Sequence, residues 1–269
     1  MRIAISLVTA LVLLAIWAFT QEPAVQRLEK SPRHQEWVAV KRVDRTVHSF
    51  LVYPEVKEKV PAVVVIHENR GLTDWVRSVA DQLAEAGYIA IAPDLLSGMA
   101  PAGGKTSDFP SGDAAREAIY KLTPEQVTAD LNAVCDYVSK LPASNGKVAV
   151  AGFCWGGAQT FRFATNRRDL AAAFVFYGTG PESKDAIAKI TSPVYGFYGG
   201  EDARVNATIP QSVALMKEAG KTFEPATYEG AGHGFMRSGE EPNASEANRK
   251  ARDEAWSRWK ALLKRVFAG

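Results

Sequence analysis

The stretch that decides the fold of this chain is residues 148–157, with the sequence VAVAGFCWGG. Its first four residues are all apolar, which is typical of a strand that is covered on both faces within a parallel sheet. Glycines then predict a sharp turn around Cys154, and apolar residues at helical spacing continue through Phe161 and Ala164. We therefore predict a strand, a tight turn and a helix, in that order.

Uniformly apolar runs of the same kind recur on both sides of this unit, at residues 60–66, 88–92, 172–177 and 194–198. Helical patterns lie between and after these runs, at residues 74–86, at a segment that begins at Thr123, at residues 209–219 and at residues 245–267. A predicted two-strand hairpin, at residues 36–43 and 46–53, precedes them. Such alternation predicts an α/β fold with a doubly wound, mainly parallel sheet and helices on both faces. No repeat, low-complexity tract or long linker interrupts residues 21–269, which we expect to form one domain.

Composition and charge exclude several classes of protein. With 46% hydrophobic and 23% charged residues, the chain matches ordinary globular proteins rather than disordered or fibrous ones. The formal net charge of +2 gives no electrostatic reason to expect nucleic acid as a partner. The two cysteines are too few for a disulfide framework. One of them, Cys135, falls on the apolar face of the helix that begins at Thr123, so we predict it to be a core residue.

The N-terminus departs from this composition. Met1 and Arg2 are followed by an uncharged, largely apolar run over residues 3–19, and the chain becomes polar at Thr20. A basic start followed by an apolar run predicts a cleaved secretory signal in residues 1–20. The alternative is an uncleaved membrane anchor, because 17 residues is near the lower limit for a helix that crosses a bilayer. In either case we expect an exported protein, periplasmic or secreted, with membrane contact only through this segment.

Residues 152–156, Gly-Phe-Cys-Trp-Gly, form the pattern G-x-C-x-G. This is the nucleophile elbow of hydrolases with a thiol in place of the usual hydroxyl, and its glycines leave room beside a strained strand-to-helix turn. At the start of a helix the sulfur of Cys154 faces the positive end of the helix dipole, which favours the thiolate. The alternative is a buried cysteine in a glycine-rich turn. We therefore treat Cys154 as a candidate nucleophile.

Two further motifs supply a candidate acid and a candidate base. Asp202 follows a double glycine after the strand at residues 194–198, and His233 stands between glycines after a strand at residues 222–228. The chain order of nucleophile, acid and base is the one that an α/β-hydrolase triad requires. The alternatives are a turn or cap role for Asp202, with Glu201 as the acid, and a surface loop position for His233.

The other three histidines fit other roles. His34 and His48 are expected to be solvated, and His67, at the end of a strand, either contacts substrate or makes a structural hydrogen bond. No cluster of His, Asp or Glu has the spacing of metal ligands, so the sequence predicts neither a metal nor a cofactor.

The three motifs around Cys154, Asp202 and His233 resemble the triad of the dienelactone hydrolase family, the carboxymethylenebutenolidase-like members of the α/β-hydrolase superfamily. The resemblance spans residues 36–267. Cysteine at the elbow is its specific part, because most α/β hydrolases carry serine there. The resemblance implies the α/β-hydrolase fold and a Cys-His-Asp triad.

The resemblance also implies roles for two charged residues. Glu68, after the strand at 60–66, would hold the nucleophile's thiol in the resting enzyme; the alternative is a structural charge paired with Arg70. Arg237, four residues after the candidate base, would hold a substrate carboxylate; the alternative is a solvated loop arginine. The chain departs from the family within residues 96–122, where residues 98–105 predict a glycine-rich loop. Arg116, in a predicted helix of the same segment, is the candidate for the family's second carboxylate-binding arginine.

The expected mechanism follows from these residues. Cys154 attacks an ester or lactone carbonyl, and His233, oriented by Asp202, supports the thiolate and then activates water. The backbone N–H groups of Trp155 and Asn69 are expected to hold the oxyanion. The Trp155 side chain either walls the substrate pocket or packs in the core.

Three functions remain open at this point. The first is hydrolysis of a small, anionic lactone or ester in the manner of dienelactone hydrolase. The second is a broader carboxylesterase or thioesterase activity at the same site. The third is an exported binding protein that keeps the fold without turnover, which an intact triad argues against.

Overall fold

The computed structural model describes residues 24–268, and the predicted signal or anchor at residues 1–20 lies outside the described residues. The described strands are β1 (Gln35–Lys41), β2 (Thr46–Val52), β3 (Val60–Ile66), β4 (Ile89–Pro93), β5 (Ser144–Phe153), β6 (Leu170–Phe176), β7 (Val194–Gly199) and β8 (Phe223–Tyr228). The described helices are α1 (Ala24–Lys30), α2 (Asp74–Glu85), α3 (Gly112–Ile119), α4 (Pro124–Ser139), α5 (Trp155–Ala164), α6 (Lys184–Ala188), α7 (Ala203–Asn206), α8 (Ile209–Glu218), α9 (Phe235–Ser238) and α10 (Glu246–Ala268). Within residues 24–268, no helix is long and apolar enough to cross a membrane.

The strands form one sheet in the order β1-β2-β4-β3-β5-β6-β7-β8. The β1–β2 hairpin and the β2–β4 pair are antiparallel, whereas the neighbours from β4 through β8 are all parallel. This confirms the predicted doubly wound, mainly parallel α/β fold. The chain order changes direction at β3, which lies between β4 and β5, and open sheets of this kind form a crevice at the carboxyl ends of the strands at such a point.

The core has two layers, one on each face of the sheet. Alternate residues of β3 point to opposite faces: Val63 and Val65 join the cluster around Trp259, together with apolar residues of α2 and α10. Val64 joins the opposite cluster with Cys135 and the apolar stripes of α4 and α5. Cys135 is fully buried, and burial raises the pKa of its thiol to about 12. The prediction that Cys135 is a core residue is therefore confirmed.

The segment of residues 96–122, which includes the predicted glycine-rich loop, contains two 3₁₀ turns and the helix α3. Its first part is tied to the end of β4, because the buried carboxylate of Asp94 accepts hydrogen bonds from the backbone N–H of Thr106 at 2.8 Å and from its hydroxyl at 2.7 Å. The Ser111 hydroxyl caps α3 by accepting from the backbone N–H of Ala114 at 3.1 Å. These contacts place α3 beside the crevice, where it presents Arg116.

Candidate active site

Cys154 lies at the turn between β5 and α5 with φ 57° and ψ −117°, a conformation that strains any residue with a side chain. The glycines on either side allow this turn. A Cβ added to Gly152 would lie 2.2 Å from the carbonyl oxygen of Gly156, and one added to Gly156 would lie 2.3 Å from that of His67. The backbone N–H of Cys154 donates to the carbonyl of Phe176 at 3.0 Å, which ties the turn to the neighbouring strand. The sequence motif is thus a nucleophile elbow in its geometry.

The half-buried Cys154 opens into a cavity of about 990 Å³ at the carboxyl ends of the strands. This active-site cavity is lined by most of the residues predicted from the sequence: Glu68, Asn69, Cys154, Trp155, His233 and Arg237. They come from loops after β3, β5 and β8, which are far apart in the sequence. The parallel sheet brings them together because the carboxyl ends of its strands meet at one edge.

His233 and Asp202 are in direct contact. Nδ1 of His233 lies 2.5 Å from Oδ2 of Asp202, and the Asp202 side chain is buried. The other carboxylate oxygen of Asp202 accepts from the backbone N–H of Val205 at 3.3 Å, so the same residue also caps the short helix α7. Glu201, the alternative acid, is exposed. Of the two acids, Asp202 is the one that orients the histidine.

The imidazole of His233 also contacts Cys154. Because Nδ1 faces Asp202, the other ring nitrogen is available to the Cys154 side chain. The hydrogen bond to Cys154 and the one to Asp202 together raise the pKa of His233 to about 9, although partial burial acts in the opposite direction. The ring packs edge-on against Tyr177 at 5.1 Å between centroids. Cysteine, histidine and aspartate thus form one continuous chain of contacts.

Glu68 and Arg237 form an ion pair at the active-site cavity. Nε of Arg237 donates to Oε2 of Glu68 at 2.8 Å, and Nη1 reaches Glu241 at 3.3 Å. The Glu68 side chain is 13% exposed and that of Arg237 is 45% exposed. The sequence alternative for Glu68 names Arg70 as its partner, but the structure pairs it with Arg237. The two residues to which the family resemblance assigns separate roles therefore contact each other.

Two backbone N–H groups lie where the oxyanion donors are expected. Trp155 is the first residue of α5, so its N–H has no acceptor within the helix. Asn69 follows β3 in a loop that lines the active-site cavity, and its N–H makes no hydrogen bond to the protein within residues 24–268. The Trp155 indole lines this cavity and also stacks on His67 at 5.6 Å with an interplanar angle of 13°. Both expectations for that side chain therefore apply.

Sequence reasoning missed Tyr177 and two of the arginines of this cavity. Tyr177 is buried, has φ 39°, and its hydroxyl has no hydrogen-bond partner within residues 24–268. Burial, followed by the nearby charge of Glu68, raises its pKa well above the ordinary value. Arg70 and Arg204 also line the cavity. Tyr177 could have been predicted to lie at the site, because it directly follows β6, the strand next to the one that carries the elbow.

The remaining histidines fall largely as expected. His34 and His48 are exposed, whereas His67 is fully buried and makes structural hydrogen bonds. Within residues 24–268, no group of three or more His, Cys, Asp or Glu side chains is arranged to hold a metal ion.

Comparison with known proteins identifies the family and the fold. The sequence pattern of the dienelactone hydrolase family matches residues 47–267. The carboxymethylenebutenolidase of Pseudomonas putida is 31% identical over 208 residues, which cover 76% of this chain and 86% of that protein, and that of Pseudomonas knackmussii gives the same figures. Among solved structures, a dienelactone hydrolase-like promiscuous phosphotriesterase from metagenomic libraries superimposes with a TM-score of 0.74 at 23% identity, covering 87% of this chain and 99% of the other.

At that identity the structural likeness supports the fold, and the sequence relatives support the family. The match to the family pattern covers most of the chain and includes β5, the elbow and the strands that carry Asp202 and His233. The chain belongs to the dienelactone hydrolase family of the α/β-hydrolase superfamily, and is a hydrolase of that type.

Proposed function

We propose that this protein hydrolyses small, anionic esters or lactones with a Cys154–His233–Asp202 triad. The observation that carries the proposal is the chain of contacts that runs from buried Asp202 through His233 to a cysteine on a strained elbow. A cysteine held in this conformation, at a helix N-terminus and facing a cavity, has the features of an activated nucleophile rather than of a core thiol. Cys135, in contrast, is fully buried away from the crevice.

The chemistry balances with the residues present. The sulfur of Cys154 attacks the carbonyl carbon, and the carbonyl electron pair moves onto oxygen as the tetrahedral oxyanion forms. The N–H groups of Trp155 and Asn69 stabilise that oxyanion. When it collapses, the bond to the leaving oxygen breaks, and His233 transfers its proton to the leaving alkoxide. A thioester to Cys154 remains.

The second half of the reaction returns the enzyme to its resting state. His233, now neutral and still hydrogen-bonded to Asp202, takes a proton from a water molecule as that water attacks the thioester carbonyl. Collapse of the second oxyanion expels the cysteine thiolate and releases the carboxylic acid. No metal ion or cofactor is needed to balance either step.

The contacts within the triad favour the protonated form of His233. Because the pKa of His233 is raised to about 9, its imidazole is protonated at neutral pH. The protonated imidazole supplies the proton that the leaving alkoxide takes up. The buried carboxylate of Asp202 offsets the positive charge and fixes the orientation of the ring.

Positive charge in the active-site cavity supports an anionic substrate. Four arginines line it: Arg70, Arg116, Arg204 and Arg237. A guanidinium suits the recognition of a carboxylate, because its planar N–H fork matches the two carboxylate oxygens. A substrate that carries a carboxylate in addition to its ester or lactone group would gain from this charge.

One observation favours a broader carboxylesterase or thioesterase activity as the second candidate. Arg237 already has two carboxylate partners, Glu68 at 2.8 Å and Glu241 at 3.3 Å. A substrate carboxylate has to compete with them, so the contribution of Arg237 to the selection of anionic substrates is reduced. Comparison of anionic with neutral esters, developed below, distinguishes the two candidates.

The nucleophile is tested by a matched pair of cysteine variants. Cys154→Ala should abolish ester hydrolysis and leave the fold intact, because alanine fits the elbow but provides no nucleophile. Cys135→Ala is the control and should retain most of the turnover rate. Equal loss of activity in both variants would contradict the assignment. Absence of turnover by the unmodified enzyme on lactones, charged esters and neutral esters alike would favour a binding protein.

We also propose export, on the basis of the N-terminal sequence alone. Mass spectrometry of the protein from a producing cell should find a chain that begins between about residues 19 and 22, where the apolar run ends. An intact chain beginning at Met1 that remains in the membrane fraction would indicate the anchor. A freely soluble cytoplasmic chain beginning at Met1 would refute export.

A further inference from the structure

His67 is the first residue after β3 and immediately precedes Glu68. Its side chain is fully buried. It does not line the active-site cavity, although the next two residues, Glu68 and Asn69, do. The triad mechanism gives this imidazole no role. Its surroundings nevertheless connect it to both candidate oxyanion donors.

The hydrogen bonds of His67 determine where its proton lies. The backbone N–H of Leu95 donates to Nε2 at 3.2 Å, so that nitrogen is an acceptor and carries no proton. In the neutral ring the proton is then on Nδ1, which donates to the carbonyl oxygen of Glu68 at 2.8 Å. Burial lowers the pKa of His67 and so favours the neutral ring, although the nearby charge of Asp94 acts in the opposite direction.

These bonds fix a peptide plane. The carbonyl of Glu68 belongs to the same peptide unit as the N–H of Asn69, and within residues 24–268 every peptide bond is trans. In a trans peptide the C=O and N–H point in opposite directions. A carbonyl held against His67, and also accepting from the N–H of Gly71 at 3.2 Å, therefore directs the Asn69 N–H away from the imidazole.

The same residue supports the second donor. The His67 ring stacks on the indole of Trp155 at 5.6 Å between centroids, and Trp155 supplies the other candidate oxyanion N–H. The carbonyl oxygen of His67 lies so close to the elbow that a Cβ on Gly156 would be 2.3 Å from it. His67 therefore contacts the peptide of one candidate oxyanion donor and the side chain of the other.

We propose that His67 is a positioning residue, which holds the Glu68–Asn69 peptide in the orientation that the oxyanion requires. The proposal rests on the proposed cysteine hydrolase function and deepens it. His67 touches neither substrate nor nucleophile, and acts through the Asn69 N–H. Its contribution should therefore appear when an oxyanion forms, and not in reactions of the sulfur that form none.

Two variants separate hydrogen bonding from packing. His67→Gln retains one donor and one acceptor but loses the aromatic stack on Trp155, whereas His67→Phe retains the stack and loses both hydrogen bonds. We expect His67→Phe to lower kcat for ester hydrolysis by at least about tenfold with KM little changed, since loss of a complete oxyanion donor lowers kcat by about 100-fold to 1000-fold. We expect His67→Gln to retain kcat within about threefold, because its amide replaces both hydrogen bonds.

The readout that isolates this role is alkylation of Cys154 by iodoacetamide. That reaction uses the thiolate but forms no oxyanion, so both variants should be alkylated at the rate of the unmodified enzyme. Parallel losses of hydrolysis and alkylation would show that the elbow itself is disturbed, and would overturn the proposal. A fully active His67→Phe, or a His67→Gln impaired tenfold or more, would also overturn it.

If His67→Phe does not fold, His67→Met, which also lacks both hydrogen bonds, takes its place and is expected to lower kcat to the same extent; a fully active His67→Met would overturn the proposal. Failure of the proposed function is a separate result. It would appear as hydrolysis that persists in Cys154→Ala, whatever the His67 variants show.

Discussion

Replacing Arg237 by alanine is predicted to separate anionic from neutral substrates. Arg237 lines the active-site cavity with 45% of its side chain exposed, and its guanidinium bonds Glu68 at 2.8 Å. If a substrate carboxylate takes the place of one of its protein partners, Arg237→Ala removes a charge-assisted hydrogen bond from anionic substrates only. A neutral ester never makes that contact.

The size of the effect follows from the contact that is lost. Truncating one partner of a charge-assisted, partly desolvated pair costs about 2–4 kcal/mol. At about 1.36 kcal/mol for each factor of ten, kcat/KM for an anionic ester should fall by about 30-fold to 1000-fold. The variant also leaves the carboxylate of Glu68, only 13% exposed, without its arginine partner. That unpaired negative charge repels an anionic substrate, which offsets the competition of Glu68 for Arg237 in the unmodified enzyme and keeps the expected loss within this range.

The assay compares two nitrophenyl esters of similar chain length, one a monoester of a dicarboxylic acid and the other of a simple fatty acid. Arg237→Ala should lower kcat/KM steeply for the first and by less than about threefold for the second. The double variant Arg237→Ala/Glu68→Gln should recover part of the loss, because it removes the repulsion without restoring the attraction. Arg168→Ala, at an exposed arginine where β6 begins, is the matched control.

Two results would refute this reasoning. Equal losses for both esters would show that Arg237 supports the site structurally, through Glu68 and Glu241. No loss for either ester would show that its guanidinium is a solvated charge. Either result would favour the broader carboxylesterase or thioesterase.

Three further predictions concern the triad and its support. The pKa of His233 is raised from 6.5 to about 9, so the protonated imidazole contributes its full stabilisation below pH 6.5 and loses it as the pH rises through about 9. We therefore expect kcat/KM to decline near pH 9. A value of kcat/KM that still rises through about pH 10 would contradict this prediction. Gly156→Ala places a Cβ 2.3 Å from a backbone carbonyl oxygen and should lower the free energy of unfolding, measured by denaturant titration, by at least about 1–3 kcal/mol. Gly112→Ala is the control, because the nearest atom to its Cβ would be 3.4 Å away, and it should leave the free energy of unfolding nearly unchanged. Similar free energies of unfolding for the two variants would refute the prediction. Glu68→Gln removes a negative charge near the sulfur and should speed alkylation of Cys154 by iodoacetamide, and unchanged alkylation with unchanged turnover would leave Glu68 a structural charge.

Much of the fold can be predicted from local patterns. The uniformly apolar strands and the amphipathic helices alternate visibly in the sequence, and the structure has them within a few residues of the predicted bounds. The helix predicted around Arg116 is α3, which forms although it lies in a segment rich in glycine and proline. It forms because Ser111 caps it and because Ala115 and Ile119 are buried on one of its faces.

The candidate triad is also predictable, because each member is marked by nearby glycines. A nucleophile elbow requires glycine at fixed offsets from Cys154, since the backbone passes too close to its neighbours for any side chain. Asp202 and His233 follow their strands in the same manner. Their contact at 2.5 Å depends on the fold, but the order of the motifs in the chain already indicates it.

The partners of Glu68, His67 and Tyr177 could not be predicted in this way. Glu68 has Arg70 two residues away in sequence, yet it bonds Arg237, which is 169 residues distant. His67 contacts Leu95, in the loop after β4, and Trp155, at the start of α5. Tyr177 is buried against His233, in the loop after β8. The alternation of strands and helices and the positions of the three glycine-marked motifs can be read from the chain, because they depend on backbone geometry and local periodicity. The contacts of Glu68, His67 and Tyr177 depend instead on the tertiary structure. They form because the strands of the described sheet bring their carboxyl ends to one edge, and no local sequence pattern encodes that alignment.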